Sequence, residues 1–294
     1  MKLILKENSR VNATAFYLEN LYKEHFELTT DTSADGIVYA DFLELDWALT
    51  LDKKIIIDHT WDVNDGSIKE TDQIKIIEHG SWFFPANECL WYRALGYHNY
   101  IPKNINDLDF LMLINRQKPW RDEVWKNTEP LRKNSLSSYH AHNISIPGDI
   151  DPESGPWQRY TNFDWYDRTK YSVVVETGLD LVCITEKILK PNAFRHPYVV
   201  FATPNSLSEM KSLGFETFDN CINESYDLET DGYKRMDMIL DEIKRLNSTD
   251  KDYFLDPETE KRIEHNFHRF YDINWAKQQF KKYIFDFINE HGQT

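Results

Sequence analysis

Residues 183–203 read CITEKILKPNAFRHPYVVFAT. A run of β-branched and aromatic residues, YSVVVET (171–177), lies just before this segment, and its own tail, PYVVFAT (197–203), is a second such run. Two short apolar runs separated by a helix start predict a strand–helix–strand unit of a parallel sheet. In a doubly wound sheet, ligands bind beyond the carboxyl ends of the strands, where loops enter helices. Thr185 is placed to cap this helix with its hydroxyl. The free N–H groups of its first turn carry roughly half a positive charge and attract an anion such as phosphate. Lys187 adds a full charge to the same place. Glu186 repels that anion and must do something else, and its two acceptor oxygens suit the two hydroxyls of a ribose diol. Read this way, the pair fits a nucleoside diphosphate. Acidic first turns also decorate ordinary solvated helix starts, and spacing alone leaves both readings open.

The same alternation continues outward in both directions. On the N-terminal side, KLILKE (2–7), GIVYADF (36–42), KKIIIDH (53–59) and IKIIEH (74–79) read as strands. Helices are expected over Val11 to His25 and over ANECLWYRALGY (86–97). The pattern restarts with strand DLDFLMLINR (107–116) and the helical PWRDEVWKNTEPLRKN (119–134). A Pro-, Gly- and Asp-rich segment at 144–163 reads as a long loop. After KYSVVVE (170–176) and PYVVFAT come helices over SLSEMKSLGF (206–215), Asp231 to Leu246, Pro257 to Phe270 and Ile273 to Glu290. In the last of these, Ile273, Ala276, Phe280, Tyr283, Ile284 and Phe287 share one face. The fold class is therefore α/β. We expect two Rossmann-like parallel-sheet domains facing a cleft, residues 1–104 and 105–294, with a helical C-terminus.

Composition bounds the function. The 294 residues include 41% hydrophobic side chains, enough for substantial cores. A net charge of -15 argues against a broad electrostatic grip on nucleic acid or anionic membrane. Three dispersed cysteines, Cys89, Cys183 and Cys221, fit a reducing compartment better than a disulfide framework or a zinc site. The N-terminus lacks a signal-peptide pattern and no apolar run is long enough to span a bilayer. A soluble, cytoplasmic protein is expected.

The stretch from Tyr171 to about Asp227 resembles the nucleotide-sugar-binding half of GT-B glycosyltransferases. It is most similar to the α1,3-fucosyltransferase family and related bacterial and phage glycosyltransferases. The residues carrying the likeness are VVVET with Glu176, ITEK with Thr185, Glu186 and Lys187, HPYVVFATP, and LGFETFDNCINESYD. Upstream, FLMLINRQKPWR resembles the first strand and helix of that domain. The resemblance implies ribose on Glu186 and diphosphate on Lys187, with a second phosphate contact from Arg116 or Arg121. Two places depart from the family: Thr177-Gly178 stands where Asn follows the strand-ending Glu, and FRHP (194–197) where a small Ala-Gly turn precedes the last strand. The resemblance therefore implies the fold and the donor class, a nucleotide sugar as co-substrate, without specifying fucose.

A transferase of this kind stabilises its leaving diphosphate with cations and a helix N-terminus, so no metal or other cofactor is required. The acceptor hydroxyl needs a base. Asp58, ending the strand of IIIDHTWDVND, and Glu78, in IIEHGSW, are the candidates, each equally readable as a carboxylate capping the following loop. The acceptor is a glycan or lipid-linked sugar, or a hydroxymethylated base in DNA of the kind phages glycosylate. For DNA modification speaks the locally basic segment 116–134 with its two tryptophans. A non-catalytic nucleotide- or carbohydrate-binding module of the same fold is the alternative. DLD (107–109) and DID (149–151) have metal-site spacing, common by chance in so acidic a chain. HAH (140–142) and HNFH (265–268) lack the partners of a zinc site. There is no Gly-rich phosphate loop and no Gly-x-Ser-x-Gly.

Overall fold

The computed structural model describes residues 1–8, 18, 21–59, 68–78, 80–149, 160–178, 182 and 184–292, with His59 and Glu78 described by their backbone alone. The chain divides into two compact units, Met1–Asn87 together with Ile273–Thr294, and Glu88–Asp272.

In the first unit, β1 (Lys2–Ile4), β2 (Glu27–Thr29), β3 (Ile37–Asp41), β4 (Ile55–His59) and β5 (Ile74–Glu78) form a wholly parallel sheet in the order β2-β1-β3-β4-β5. Val38 lies opposite Ile55, and Ile55 opposite Ile74. Alternate residues Val38 and Ala40, Ile55 and Ile57, and Ile74 and Ile76 line one face, where Phe42, Leu45 and Trp47 pack on them. All of β3 is buried, as expected of a strand covered on both faces. The strand β2 was not legible in the sequence, because ELT is short and carries a charge.

The C-terminal segment of this unit runs as α8 (Ile273–Phe280), a π-turn over Lys281–Phe285, and α9 (Asp286–Gly292). Its buried face is Ala276, Phe280, Ile284 and Ile288, a strict four-residue repeat. At about 3.6 residues per turn such a repeat drifts around a straight α-helix. The wider π-turn takes up that drift and keeps all four inward. Phe287, expected on this face, is only half-buried for the same reason. Trp82 stacks on Tyr283 with ring centroids 4.8 Å apart. The helix expected over Val11 to His25 falls largely outside the described residues.

The chain division falls within α1 (Phe83–Ala94). In the second unit, β6 (Leu108–Ile114), β7 (Leu136–Tyr139), β8 (Thr169–Val175) and β9 (Tyr198–Phe201) are again all parallel, in the order β7-β6-β8-β9. Between them run α2 (Pro119–Asn127), α3 (Phe163–Arg168) and α4 (Glu186–Ala193). After β9 come α5 (Ser206–Ser212), α6 (Gly232–Asn247) and α7 (Pro257–Phe270), the last two capped by Asp231 and Asp256 side chains. The connection leaves β6 first to one side, toward β7, and then to the other, toward β8. The crevice at the carboxyl ends of β6 and β8 is therefore the topological switch point where such sheets bind ligands. All seven residues of β8 are buried.

The turn from α4 to β9 accounts for FRHP. Arg195 takes a left-handed φ of 56°, the conformation glycine adopts at no cost. Its guanidinium is held by Glu264 (Nε to Oε1 2.5 Å), donates to the Tyr100 carbonyl at 2.7 Å, and lies over the Phe267 ring. Next to it, His196 is buried, with Nε2 donating to the Thr169 carbonyl at 2.7 Å and Nδ1 2.8 Å from the Ser172 hydroxyl. Burial holds this imidazole down to about 4 from 6.5. The unfolded chain takes up a proton near 6.5 while the native state does so only near 4, so stability is lost as pH falls through that window. The expected loss between pH 7 and pH 5 is about 2 kcal/mol. Urea unfolding of the wild-type chain and of His196→Gln measures it, the variant lacking this component.

Candidate functional site

Two side chains organise the end of β8. Arg121, in α2, is 2% exposed. Its Nε and Nη2 donate to the Glu176 carbonyl at 3.2 and 3.0 Å, and Nη2 also reaches the Val175 carbonyl at 3.4 Å and Thr177 Oγ1 at 3.3 Å. Nη1 donates to the Arg116 carbonyl at 3.1 Å. One guanidinium thus ties the residues following β6 to the end of β8. Burial lowers its pKa, against the attraction of Glu176 and Glu186. Thr177, standing where the related motif has Asn, supplies one of these acceptors.

Glu176 is buried directly beyond β8. Its carboxylate accepts from the Thr185 hydroxyl at 2.6 Å, and from the backbone N–H groups of Thr177 at 3.2 Å and Thr185 at 3.4 Å. Burial raises its pKa, opposed by the charge of Lys187. The strand-ending acid therefore anchors the cap of the next helix. Thr185 Oγ1 in turn accepts from the Lys187 N–H at 3.3 Å, capping α4 as expected. Glu186 and Lys187 are half-buried in the first turn, with Nζ 2.7 Å from Oε1. Burial acts to raise the Glu186 carboxyl, but the charge and hydrogen bond of Lys187 outweigh it, and its pKa lies below the ordinary value.

Both side chains line a cavity of about 100 Å³ at the switch point. Leu111, Leu113, Val173, Val175, Trp165 and Tyr166 give it apolar walls. Its polar lining includes His140, Asp149, Tyr160, Glu186, Lys187 and Lys190. His140 Nε2 and Asp149 Oδ2 are 2.7 Å apart, and Lys190 Nζ donates to the Tyr160 carbonyl at 3.3 Å. An apolar crevice with a few convergent charged groups has the character of a small-molecule site.

Three of these residues, Lys190, His140 and Asp149, were not assigned to this site from the sequence, the last two being weighed only for their metal-site spacing. Lys190 was findable, being four residues after Glu186 on the same helix face. The pairing of His140 with Asp149 was not, since the two stand nine positions apart with no periodic pattern linking them. The strand β7, which leads into His140, was missed because LSSY is rich in serine, and α3 because it follows a Pro- and Gly-rich stretch.

Of the other expected residues, Arg116 is exposed just after β6. Asp58 is fully buried on β4, where it accepts a hydrogen bond from the buried Tyr39 hydroxyl. Glu78 is the last residue of β5, and its side chain lies outside the described residues, as do Trp61, Asp62, Asp65 and His79 entirely. The Asp-x-Asp pairs are engaged elsewhere: Asp107 with Arg168, Asp109 with the buried Lys170, Asp149 with His140. Asp151 lies outside the described residues. His142 is paired with Asp122, and His265 hydrogen-bonds the Gly214 carbonyl. Among the described residues, no group of three or more His, Cys, Asp or Glu could hold a metal ion. No described helix is long and apolar enough to cross a membrane.

No protein-family model matches the chain, and no curated protein matches it by sequence. Solved structures do match. A crystal structure of an α1,3-fucosyltransferase superposes with a TM-score of 0.52 at 10% identity, over 94% of this chain and 91% of that one. The fold is GT-B. An α1,3-fucosyltransferase structure with GDP matches at a TM-score of 0.50 and 11% identity, over 87% of this chain and 80% of that one. The GT-B likeness thus covers almost the whole length of the chain, including segments without a readable motif, and at this identity it speaks for the fold alone.

Proposed function

We propose that this protein is a glycosyltransferase that moves a sugar from a nucleotide sugar to an acceptor hydroxyl. The observation that carries the reading is the position of the capped Thr185-Glu186-Lys187 turn. It lines the switch-point cavity of a GT-B fold, with an acid and a base half-buried side by side. A structural neighbour crystallised with GDP supports a nucleoside diphosphate as leaving group. In the free protein Lys187 satisfies Glu186. On binding, the ribose diol takes over the Glu186 carboxylate and the diphosphate takes over the Lys187 ammonium. The α4 N-terminus adds its dipole to the stabilisation of the leaving charge. Arg116, exposed beside this site, is the second phosphate contact. Arg121 is a positioning residue, because its donors are spent on backbone carbonyls. These residues supply the charge stabilisation that a metal provides in other transferases.

Glu78 is the base that deprotonates the acceptor. It terminates its strand, whereas Asp58 is sealed inside the sheet against Tyr39. The first unit serves the acceptor and the second the donor. A glycan hydroxyl is favoured over a DNA base. In the basic segment 116–134, Arg121 is internal, and Arg132 is stacked 3.6 Å over Trp125 while donating to that residue's carbonyl. The cations left exposed there, Arg116, Lys118, Lys126 and Lys133, belong to a chain of net charge -15, a poor grip for a duplex.

A thermal-shift screen of nucleoside diphosphates and nucleotide sugars tests the reading. Binding to the native state raises the melting temperature, and the nucleotide sugar that does so turns over to the diphosphate. A flat response to every nucleoside diphosphate contradicts it.

A further inference from the structure

Lys190 is unexplained by the expected donor contacts. It lies one turn beyond Glu186 on α4, half-buried, and lines the same cavity as Glu186 and Lys187. An ammonium has three donors. The hydrogen bond it makes in the structure is a long one, 3.3 Å to the Tyr160 carbonyl. The charges facing it are Glu186 and Lys187 from its own helix, Glu88 from α1, and Asp149 from the segment after β7. A lysine kept in a largely apolar cavity, with no close carboxylate bond among the described residues, is placed to receive an anionic ligand.

We propose that Lys190 is a third cationic contact of the donor diphosphate, reaching it from inside the cavity while Lys187 holds it at the helix N-terminus. This inference rests on the nucleotide-sugar reading above. It gives the free protein an amine that is charged only over part of the working pH range. Burial lowers Lys190 to about 8 from 10.5, against the attraction of Glu186 and Glu88 and with the repulsion of Lys187. A bound diphosphate lifts that pKa again, because it favours the charged form. Affinity is therefore full below about 8 and is lost as pH rises above it.

Calorimetric titration of the full chain with GDP and UDP at pH 7.5 and 9.0 tests this. A terminal phosphate, titrating near pH 6, stays fully ionised over that range. For the nucleotide that binds, wild-type affinity falls roughly five- to tenfold at the higher pH. Lys190→Met binds more weakly at pH 7.5 and loses the pH dependence, and Lys190→Arg, permanently charged, binds with a flat profile. If Lys190→Met keeps the wild-type affinity and profile, the inference is overturned and the nucleotide reading stands. A Lys190→Arg profile that still falls like the wild type assigns the titration to another group, with the same consequence. If wild type binds neither nucleotide at either pH, both the inference and the reading beneath it fail.

Discussion

Arg121→Met unfolds about 3 kcal/mol more easily than the wild-type chain. The side chain is 2% exposed and serves carbonyls of Val175, Glu176 and Arg116 at 3.0–3.4 Å. Methionine fills much of the volume but leaves these acceptors buried without a donor. Each such loss costs about 1–3 kcal/mol, with relaxation and water entry recovering part of the sum. Arg121→Lys is intermediate, because an ammonium is a point donor and cannot span two strand ends at once. Urea unfolding followed by circular dichroism is the measurement. The effect extends to ligand binding, since the Glu176 carbonyl is fixed by Arg121 and its carboxylate fixes Thr185. Wild-type stability in Arg121→Met would show that the guanidinium is no strut and restore it as a candidate phosphate ligand.

Glu78→Gln lowers kcat for sugar transfer by about 10²–10⁴-fold, the usual contribution of a positioned general base. Nucleoside diphosphate affinity is unchanged, because the residue lies outside the donor turn. The paired control is Asp58→Asn. The buried Tyr39 hydroxyl then faces an amide instead of a carboxylate, so stability falls, while kcat per folded molecule stays near wild type. Burial and the Asp58 charge keep the Tyr39 phenol protonated, its pKa well above the ordinary value, and it remains a donor throughout. Steady-state transfer assays on both variants separate the two carboxylates. Loss of turnover in Asp58→Asn with full turnover in Glu78→Gln would reverse the assignment.

Much of this architecture was readable because burial on both faces leaves a plain chemical trace. Ile55–Ile57 and Val173–Val175 are apolar runs too short for helices and bounded by polar turns, and Ile74, Ile76 and Ile77 form another interrupted only by Lys75. The Thr185 cap was readable because capping is local, depending only on residues within one turn. Three kinds of feature were not. The edge strand β7, LSSY, is held by its neighbour Leu111–Ile114, a pairing with no local signal. The π-turn at Lys281–Phe285 is set by what the segment packs against, and the sequence pattern alone suggested one straight helix. The role of Arg121 reverses between sequence and structure for the same reason. A motif gives the residue type, but whether five donors face a ligand or three carbonyls depends on how α2 seats against β8. The His140–Asp149 pair belongs here too, assembled by chain reversal after an unpredicted strand.

The central claim is that Glu186 holds a ribose diol while Lys187 neutralises the adjoining diphosphate. Calorimetry of the matching nucleoside diphosphate against wild type, Glu186→Ala and Lys187→Ala at pH 7.5 tests it most directly. Loss of a charged hydrogen-bonding partner, about 1.5–3 kcal/mol, corresponds to roughly ten- to a hundredfold weaker binding in each variant. The 2′,3′-dideoxynucleotide, lacking the diol, binds wild type as weakly as the natural nucleotide binds Glu186→Ala, and gains no further penalty in that variant. Equal affinity of wild type and Glu186→Ala for the natural nucleotide, with both proteins folded, contradicts the account.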